Sequence, residues 1–324
     1  MKCMNDPPLH IETPLLESLP LSCKVKGRVW LKMESLQPSG SFKLRGIGHA
    51  CQTYTARGAK GFLCSSGGNA GIAVAYSGRK LKIPVTIVVP ETTSARAIEL
   101  IRQEAARVVV RGESWQEAHE YVTKTLKAGW VYIHPFDDPL IWSGHATIID
   151  EIVRQGVKPD AVVVSVGGGG LLCGVVQGLR RNKLSTVPVI AVETDGAASL
   201  SVSLRQHRNT ALERITSIAT SLGAKKVADA AYACAVEHGV HSHVVSDSQA
   251  LSACFQFSRD HRILVEPACG ASLAAVYKPV ESLKGRRDIL VVVCGGAGVT
   301  IQQLEHWSKE LHNQQVQATR HPRA

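Results

Sequence analysis

Short β-branched runs alternate along most of this chain with segments whose apolar residues recur every three or four positions. From Gly61 onward the runs fall at 62–64, 85–89, 108–110 and 131–133. Residues 69–81, 93–103 and 114–127 lie among them and carry the helical spacing. A second set of runs follows Pro139, at 161–166, 188–193, 242–245 and 289–294, again with helical stretches between them. Strands that are nearly continuous in apolar residues and alternate with helices predict parallel sheets covered on both faces. The expected class is α/β: two doubly wound, mainly parallel, three-layer domains. The smaller is expected over 40–138 and the larger over 1–39 and 139–324. Residues 1–37 read as an arm plus one strand at 28–33, and the polar tail after Leu311 reads as frayed or exposed.

Composition narrows the function classes. Apolar residues make up 44% of the 324, an ordinary globular share. No run near the N-terminus suits a signal peptide and none approaches a membrane span, so a cytoplasmic protein without a membrane partner is expected. Nine cysteines, an odd number with no CxxC spacing, point to free thiols in a reducing compartment. The net charge of +10 is scattered rather than clustered, and aromatic residues, at 5%, are too few to interleave with it as stacking platforms. A nucleic-acid partner is therefore not expected.

Several stretches could carry chemistry. In PSGSFKLRG (38–46) two small residues and an aromatic ring precede Lys43, a setting suited to a reactive amine. SSGGNAG (65–71) follows a predicted strand and opens a helix, where free N–H groups favour an anion such as a carboxylate; a tight turn capped by Asn69 fits the same residues. SVGGGG (165–170) repeats the strand-to-helix pattern with four glycines, a nest for a phosphate. Gly168, Gly170 and Gly174 with Glu193 also suit a dinucleotide fold, which keeps a nicotinamide-dependent oxidoreductase open. In YIHPFDDPLIWSGH (132–145) the two aspartates before Pro139 read as turn and helix-start residues, and the histidines flank them rather than converge, so no metal site is expected. VVVCGG (291–296) puts Cys294 at the carboxyl edge of a strand, where an inert buried thiol is the ordinary reading.

Six stretches together, PSGSFKLRGIGH, SSGGNAG, PFDDPLIWSGH, SVGGGGLLCGVVQGL, ILVEPACGASLAAVY and VVVCGG, resemble in content and order the L-serine dehydratase/L-threonine deaminase family of fold type II pyridoxal-phosphate enzymes. The resemblance implies that Lys43 carries pyridoxal 5'-phosphate, with Phe42 against its ring, Gly167, Gly168, Gly169 and Gly170 on its phosphate, Asn69 at the ring hydroxyl and Cys294 facing the pyridine nitrogen. Ser66, Gly67, Asn69 and Ala70 would bind the substrate carboxylate. Glu193, with carbonyls near Ala197, Leu222 and Ala224, matches the family's monovalent-cation site, where K+ is expected. A thiol holds a pyridinium less firmly than a carboxylate does, which favours expelling a β-substituent over accumulating a carbanion. The implied reaction converts L-serine to pyruvate and ammonia, and L-threonine to 2-oxobutanoate and ammonia, in a homodimer. Because the chain ends one helix beyond Cys294, a catabolic enzyme without a regulatory domain is expected. Serine racemases share the fold, but their loop resembles SSGNHG where this chain has Asn69-Ala70-Gly71. A weakly active or non-catalytic cofactor-binding relative is the remaining alternative. The chain departs from the family at Ala297 and Gly298, where Ser and Asn are common, and it carries Gly67 where relatives have Ala or Gly.

Overall fold

The computed structural model describes residues 7–320, with side chains through residue 314. The first half runs β1 (Leu15–Glu17), α1 (Leu19–Val25), β2 (Arg28–Lys32), α2 (Lys43–Ala56), β3 (Gly61–Cys64), α3 (Asn69–Leu81), β4 (Val85–Val89), α4 (Ala95–Gln103), β5 (Arg107–Val110), α5 (Trp115–Lys124) and β6 (Trp130–Tyr132). The second runs α6 (Pro139–Arg154), β7 (Ala161–Ser165), α7 (Gly170–Arg181), β8 (Val189–Thr194), α8 (Ser199–Arg205), α9 (Asp229–His238), β9 (His241–Val245), α10 (Asp247–His261), α11 (Pro267–Tyr277), β10 (Asp288–Val292) and α12 (Ile301–Arg320). These strands build two sheets, one ordered β1-β2-β10-β7-β8-β9 and one ordered β5-β4-β3-β6. Every strand pairing is parallel except β1 with β2.

The apolar runs explain this layering. All residues of β3, β7 and β8 are buried, because helices cover both faces of the sheets there. Helix α11 is buried at every position, as its all-round apolar surface requires. Serine side chains set several helix starts: Ser94 accepts from Ala97 N and Ser114 from Glu117 N, so α4 and α5 begin one residue after the cap. Asp138 caps α6 through Leu140 N, with Pro139 in the first turn.

One expectation changes. The N-terminal arm holds more than one strand: Ser18 caps the short α1, and β1 adds an antiparallel edge to β2. The tail after Leu311, expected to be frayed or exposed, continues α12 to Arg320, with His312, Asn313 and Gln314 exposed. Its Gln, Ala and Arg residues are strong helix formers, and no Gly or Pro interrupts them before Pro322. Cys3 lies outside the described residues.

Helix α2, which begins at Lys43, is anchored by a buried ionic cluster. The Arg45 guanidinium, wholly buried, makes two bonds of 2.7 Å to Glu34 and two of 2.6 Å to Glu151. Lys32 of β2 reaches Glu151 at 2.7 Å, and the Thr13 hydroxyl donates to Glu34 at 2.6 Å. The cluster ties α2 to β2, α6 and the N-terminal arm. On its other side α2 meets α6 without intervening side chains: a Cβ at Gly46 would lie 2.5 Å from Ile141 O.

Candidate active site

A closed ring of contacts surrounds one cleft between the two sheets. Lys43, half-buried at the start of α2, donates from Nζ to Pro135 O at 2.6 Å, and its amine sits 5.2 Å from the Phe42 ring centroid. Phe42 N donates to Cys294 O at 3.1 Å, and Ser41 bridges Gly295, so the turn after β10 is stitched to the lysine stretch. Asn69 donates from Nδ2 to Glu266 Oε1 at 2.8 Å and to Ser221 Oγ at 3.4 Å, while its Oδ1 accepts from Ala297 N at 3.2 Å. The 221–222 turn lies against Gly167, where a Cβ would come within 2.9 Å of Leu222 Cα. Phe136 closes the ring, with its aromatic face on Gly168 and its carbonyl on Gly170. Lys43, Phe42, Asn69, Cys294 and the glycine run, all singled out in the sequence, therefore share one space.

Two backbone segments in this space offer unpaired donors. Among the described residues, no N–H from Gly167 to Leu172 finds a protein acceptor; the first bonded amide of α7 is Cys173 N, which donates to Gly169 O at 3.0 Å. The reversal needs Gly169 at φ +91°, and it leaves the α7 N-terminus pointing its free amides into the cleft. The amides of Gly67, Asn69, Ala70 and Gly71 at the start of α3 are likewise unpaired among the described residues. Asn69 is not the helix cap, since that place belongs to Gly68 and the Asn69 side chain is engaged across the cleft. Ser66 and Gly67 are half-buried, and Ala70 is buried.

Electrostatics sharpen the site. Burial pushes the Lys43 amine down to about 8, while Cys64, Cys294 and Glu266 pull it part of the way back. The Cys294 thiol is held well above its usual range by its hydrogen bond with Cys269 and by burial, so it stays neutral. Glu266 has no role in the sequence reading, yet it faces both Asn69 and the lysine. Burial raises its carboxyl to about 7 against the opposing bonds from Ser221 and Asn69 and the charge of Lys43. A Cβ on Gly296 (φ +136°) would lie 2.5 Å from Glu266 Cδ, so glycine there makes room for the acid. The only trace of this in the sequence is an acid immediately before Pro267, which reads as a helix start.

Glu193 stands apart. It is wholly buried at the end of β8, and its two oxygens accept from Leu200 N at 2.8 Å and Ser201 N at 2.7 Å. Each oxygen keeps a second lone pair open to a further ligand. Burial raises the carboxyl to about 7, against those two bonds. Beside it the Ser199 hydroxyl is buried without a partner, and the carbonyls of Ala197 and Ala224 accept no protein bond among the described residues. An orphaned hydroxyl, free carbonyls and a carboxylate are oxygen donors of the kind a hard cation takes. Leu222 links this region to the cleft through Gly167.

The amine, the two donor nests and the neutral thiol are of the kind that suits an aldehyde cofactor bearing a phosphate. Residues 7–295 match the family of pyridoxal-phosphate dependent enzymes, and the chain belongs to that family. It is 48% identical over 319 residues to the human L-serine dehydratase/L-threonine deaminase, covering 95% of this chain and 97% of that one. A mouse serine dehydratase-like protein is also 48% identical, over 314 residues, with 94% and 95% covered. Among solved structures, a fungal L-serine ammonia-lyase from Rhizomucor miehei superposes with a TM-score of 0.88 at 37% identity, covering 94% of this chain and 99% of the other.

Proposed function

We propose that this protein is a pyridoxal-phosphate-dependent L-serine/L-threonine ammonia-lyase, releasing pyruvate and ammonia from L-serine and 2-oxobutanoate and ammonia from L-threonine. The observation that carries the reading is the closed ring that places the lowered-pKa amine of Lys43 between two unpaired backbone nests. Its chemical fit to the cofactor is direct. The 167–170 amides would hold the phosphate, Lys43 Nζ the aldehyde carbon, Asn69 the ring hydroxyl and Cys294 the ring nitrogen, with Phe42 against the ring. When bound, the cofactor supplies the electron sink that weakens the substrate's Cα–H bond and helps expel its β-substituent.

The chain's own groups do the rest. Amides and the hydroxyl of the Ser66–Ala70 loop orient the substrate carboxylate. With a pKa near 8, Lys43 Nζ is an effective base once freed, removing the α-proton and holding it within the cleft. Cys294 remains a neutral thiol, which favours loss of the β-hydroxyl over a long-lived carbanion. Glu266 fixes Asn69 and offers a proton acceptor with a pKa close to neutral. Where the family commonly has Ser and Asn, the Ala297 main chain still supplies one polar link to the cleft, donating from N to Asn69 Oδ1.

K+ at Glu193, Ala197, Leu222 and Ala224 belongs to the same proposal, supported by the orphaned Ser199 hydroxyl beside them. So do a small carboxylate-binding domain over 40–138 on a larger cofactor domain, a homodimeric state and a cytoplasmic location. No helix among the described residues is long and apolar enough to cross a membrane. The test is release of 2-oxo acid from L-serine and L-threonine by purified protein supplied with cofactor and K+. Release that disappears in Lys43→Ala is expected; release that persists in Lys43→Ala refutes the assignment. D-serine forming faster than pyruvate would point instead to racemisation.

A further inference from the structure

His134 borders the same cleft and takes no part in holding the cofactor. Strand β6 runs parallel to β3 with Tyr132 beside Leu63, and Ile133 N donates to Leu63 O at 2.8 Å. Continuing that register brings His134 next to Ser65, where the carboxylate loop begins. One residue later, the Pro135 carbonyl accepts the Lys43 amine. The His134 backbone therefore lies between the start of the loop and the acceptor of the lysine amine, and its ring also meets that of His119 at a centroid distance of 6.5 Å.

Its proton is fixed by its surroundings. Nδ1 accepts from two backbone amides, Asp137 N at 2.8 Å and Phe136 N at 3.2 Å, so Nδ1 carries no hydrogen and the neutral ring holds its proton at Nε2. Tyr132 and Phe136 set the ring's orientation, meeting it nearly perpendicular at centroid distances of 5.9 and 4.6 Å. Protonation is suppressed by burial, and by the charges of His119 and Lys43, which bring its pKa down to about 4. Nε2 has no protein partner among the described residues and is not among the fully buried polar atoms. This leaves an immobile N–H donor, insensitive to pH near neutrality, beside the place where an amino acid must put its carboxylate.

Resting on the ammonia-lyase reading, we infer that His134 Nε2–H donates a hydrogen bond to the carboxylate of the amino-acid substrate, completing the set begun by the Ser66–Ala70 loop. His134 is then a substrate-binding residue, and its contribution falls on binding rather than on the proton transfers.

The test uses cofactor-loaded protein and three variants. His134→Asn keeps an oxygen where Nδ1 stands, so the two backbone amides stay paired, but removes the donor. His134→Leu removes both, and His134→Gln places an amide N–H near the position of Nε2. Affinity for L-alanine, which lacks a leaving group, is read by absorbance titration, and KM and kcat are read with L-serine and β-chloro-L-alanine. A hydrogen bond to a charged group corresponds to about a tenfold to hundredfold change. Asn and Leu should weaken L-alanine binding and raise both KM values by about that factor, with kcat nearly unchanged and cofactor retained, and Gln should recover part of the loss. Unchanged L-alanine affinity in Asn and Leu overturns the inference, and so does a loss seen with L-serine alone, which would put the donor on the hydroxyl. Wild-type protein that binds L-alanine without turning over L-serine would refute the ammonia-lyase reading, while the titration still decides the carboxylate contact.

Discussion

Replacing Arg45 by Met, which has similar length but no charge, tests what anchors the lysine helix. In the native fold the guanidinium is wholly buried and pairs with two carboxylates at 2.6–2.7 Å. After the change Glu34 retains only Thr13 and Gln37, and Glu151 retains Lys32. Removing one side of a buried ion pair costs about 3–5 kcal/mol because the remaining charge is stranded. An unfolding entropy of about 2.1 cal/mol/K per residue gives about 0.7 kcal/mol/K for 324 residues unfolding together, so the melting temperature should fall by about 4–7 °C. The pH dependence gives a second reading. Burial works to raise Glu34 and Glu151, but the charge and hydrogen bonds of Arg45 outweigh it and hold both below the usual carboxylate range. Groups depressed in this way stabilise the fold above their unfolded pKa and lose that contribution as pH falls through the folded one. The deficit of Arg45→Met should therefore be full at pH 7 and shrink below about pH 4, where the unfolded chain's carboxyls take up protons that the native pair resists. Scanning calorimetry of cofactor-free protein at both pH values measures this. A loss under about 1 °C at pH 7, or a deficit unchanged in acid, refutes the reasoning. Arg45→Lys should rescue only partly, since one ammonium cannot span two carboxylates.

Other outcomes follow from the site. Since only the free amine of Lys43 can attack an aldehyde, cofactor attachment to the stripped protein, followed by visible absorbance, should accelerate with pH and level off above about 8; a rise continuing past pH 10 would show an ordinary lysine. A methyl on Gly67 would meet Thr93 Cγ2 at 2.6 Å, so Gly67→Ala should raise KM for L-serine, and Gly67→Ala with Thr93→Ala should return it toward the wild-type value. K+ in place of tetramethylammonium should raise the melting temperature, by about 4 °C at a hundred times its dissociation constant, with the gain lost in Ser199→Ala.

The fold was legible where pattern is local. Helix α3 spans the 69–81 expected from its apolar spacing, because Gly68 before it and a left-handed Lys82 after it mark its ends. Strand β1 escaped notice because its three residues are exposed or half-buried and pair antiparallel at a sheet edge, with no apolar run to report it. The candidate cofactor residues could be named from motifs because each nest is contiguous in sequence. Glu266 and the Arg45 cluster could not, since their partners lie 197 and 106 residues away and only folding brings charge against charge. Asn69 was legible as a candidate residue but not as a bridge, for the same reason.

One strand pairing bears on how this protein is born. Strand β2 lies inside the larger sheet, and its inner neighbour is β10, with Arg28 beside Asp288. At synthesis rates of about 5–20 residues per second, roughly 13–52 s separate the emergence of these two positions. Until β10 emerges, the β1–β2 pair has an open hydrogen-bonding edge. Lys43 meanwhile lacks the Cys294 and Gly295 backbone that stitches its turn. A chain stalled before β10 thus carries Lys43 without the backbone that fixes its turn, so the proposed cofactor site is completed only when translation is nearly finished. The exposed edge also makes incomplete chains the form most prone to pair with one another.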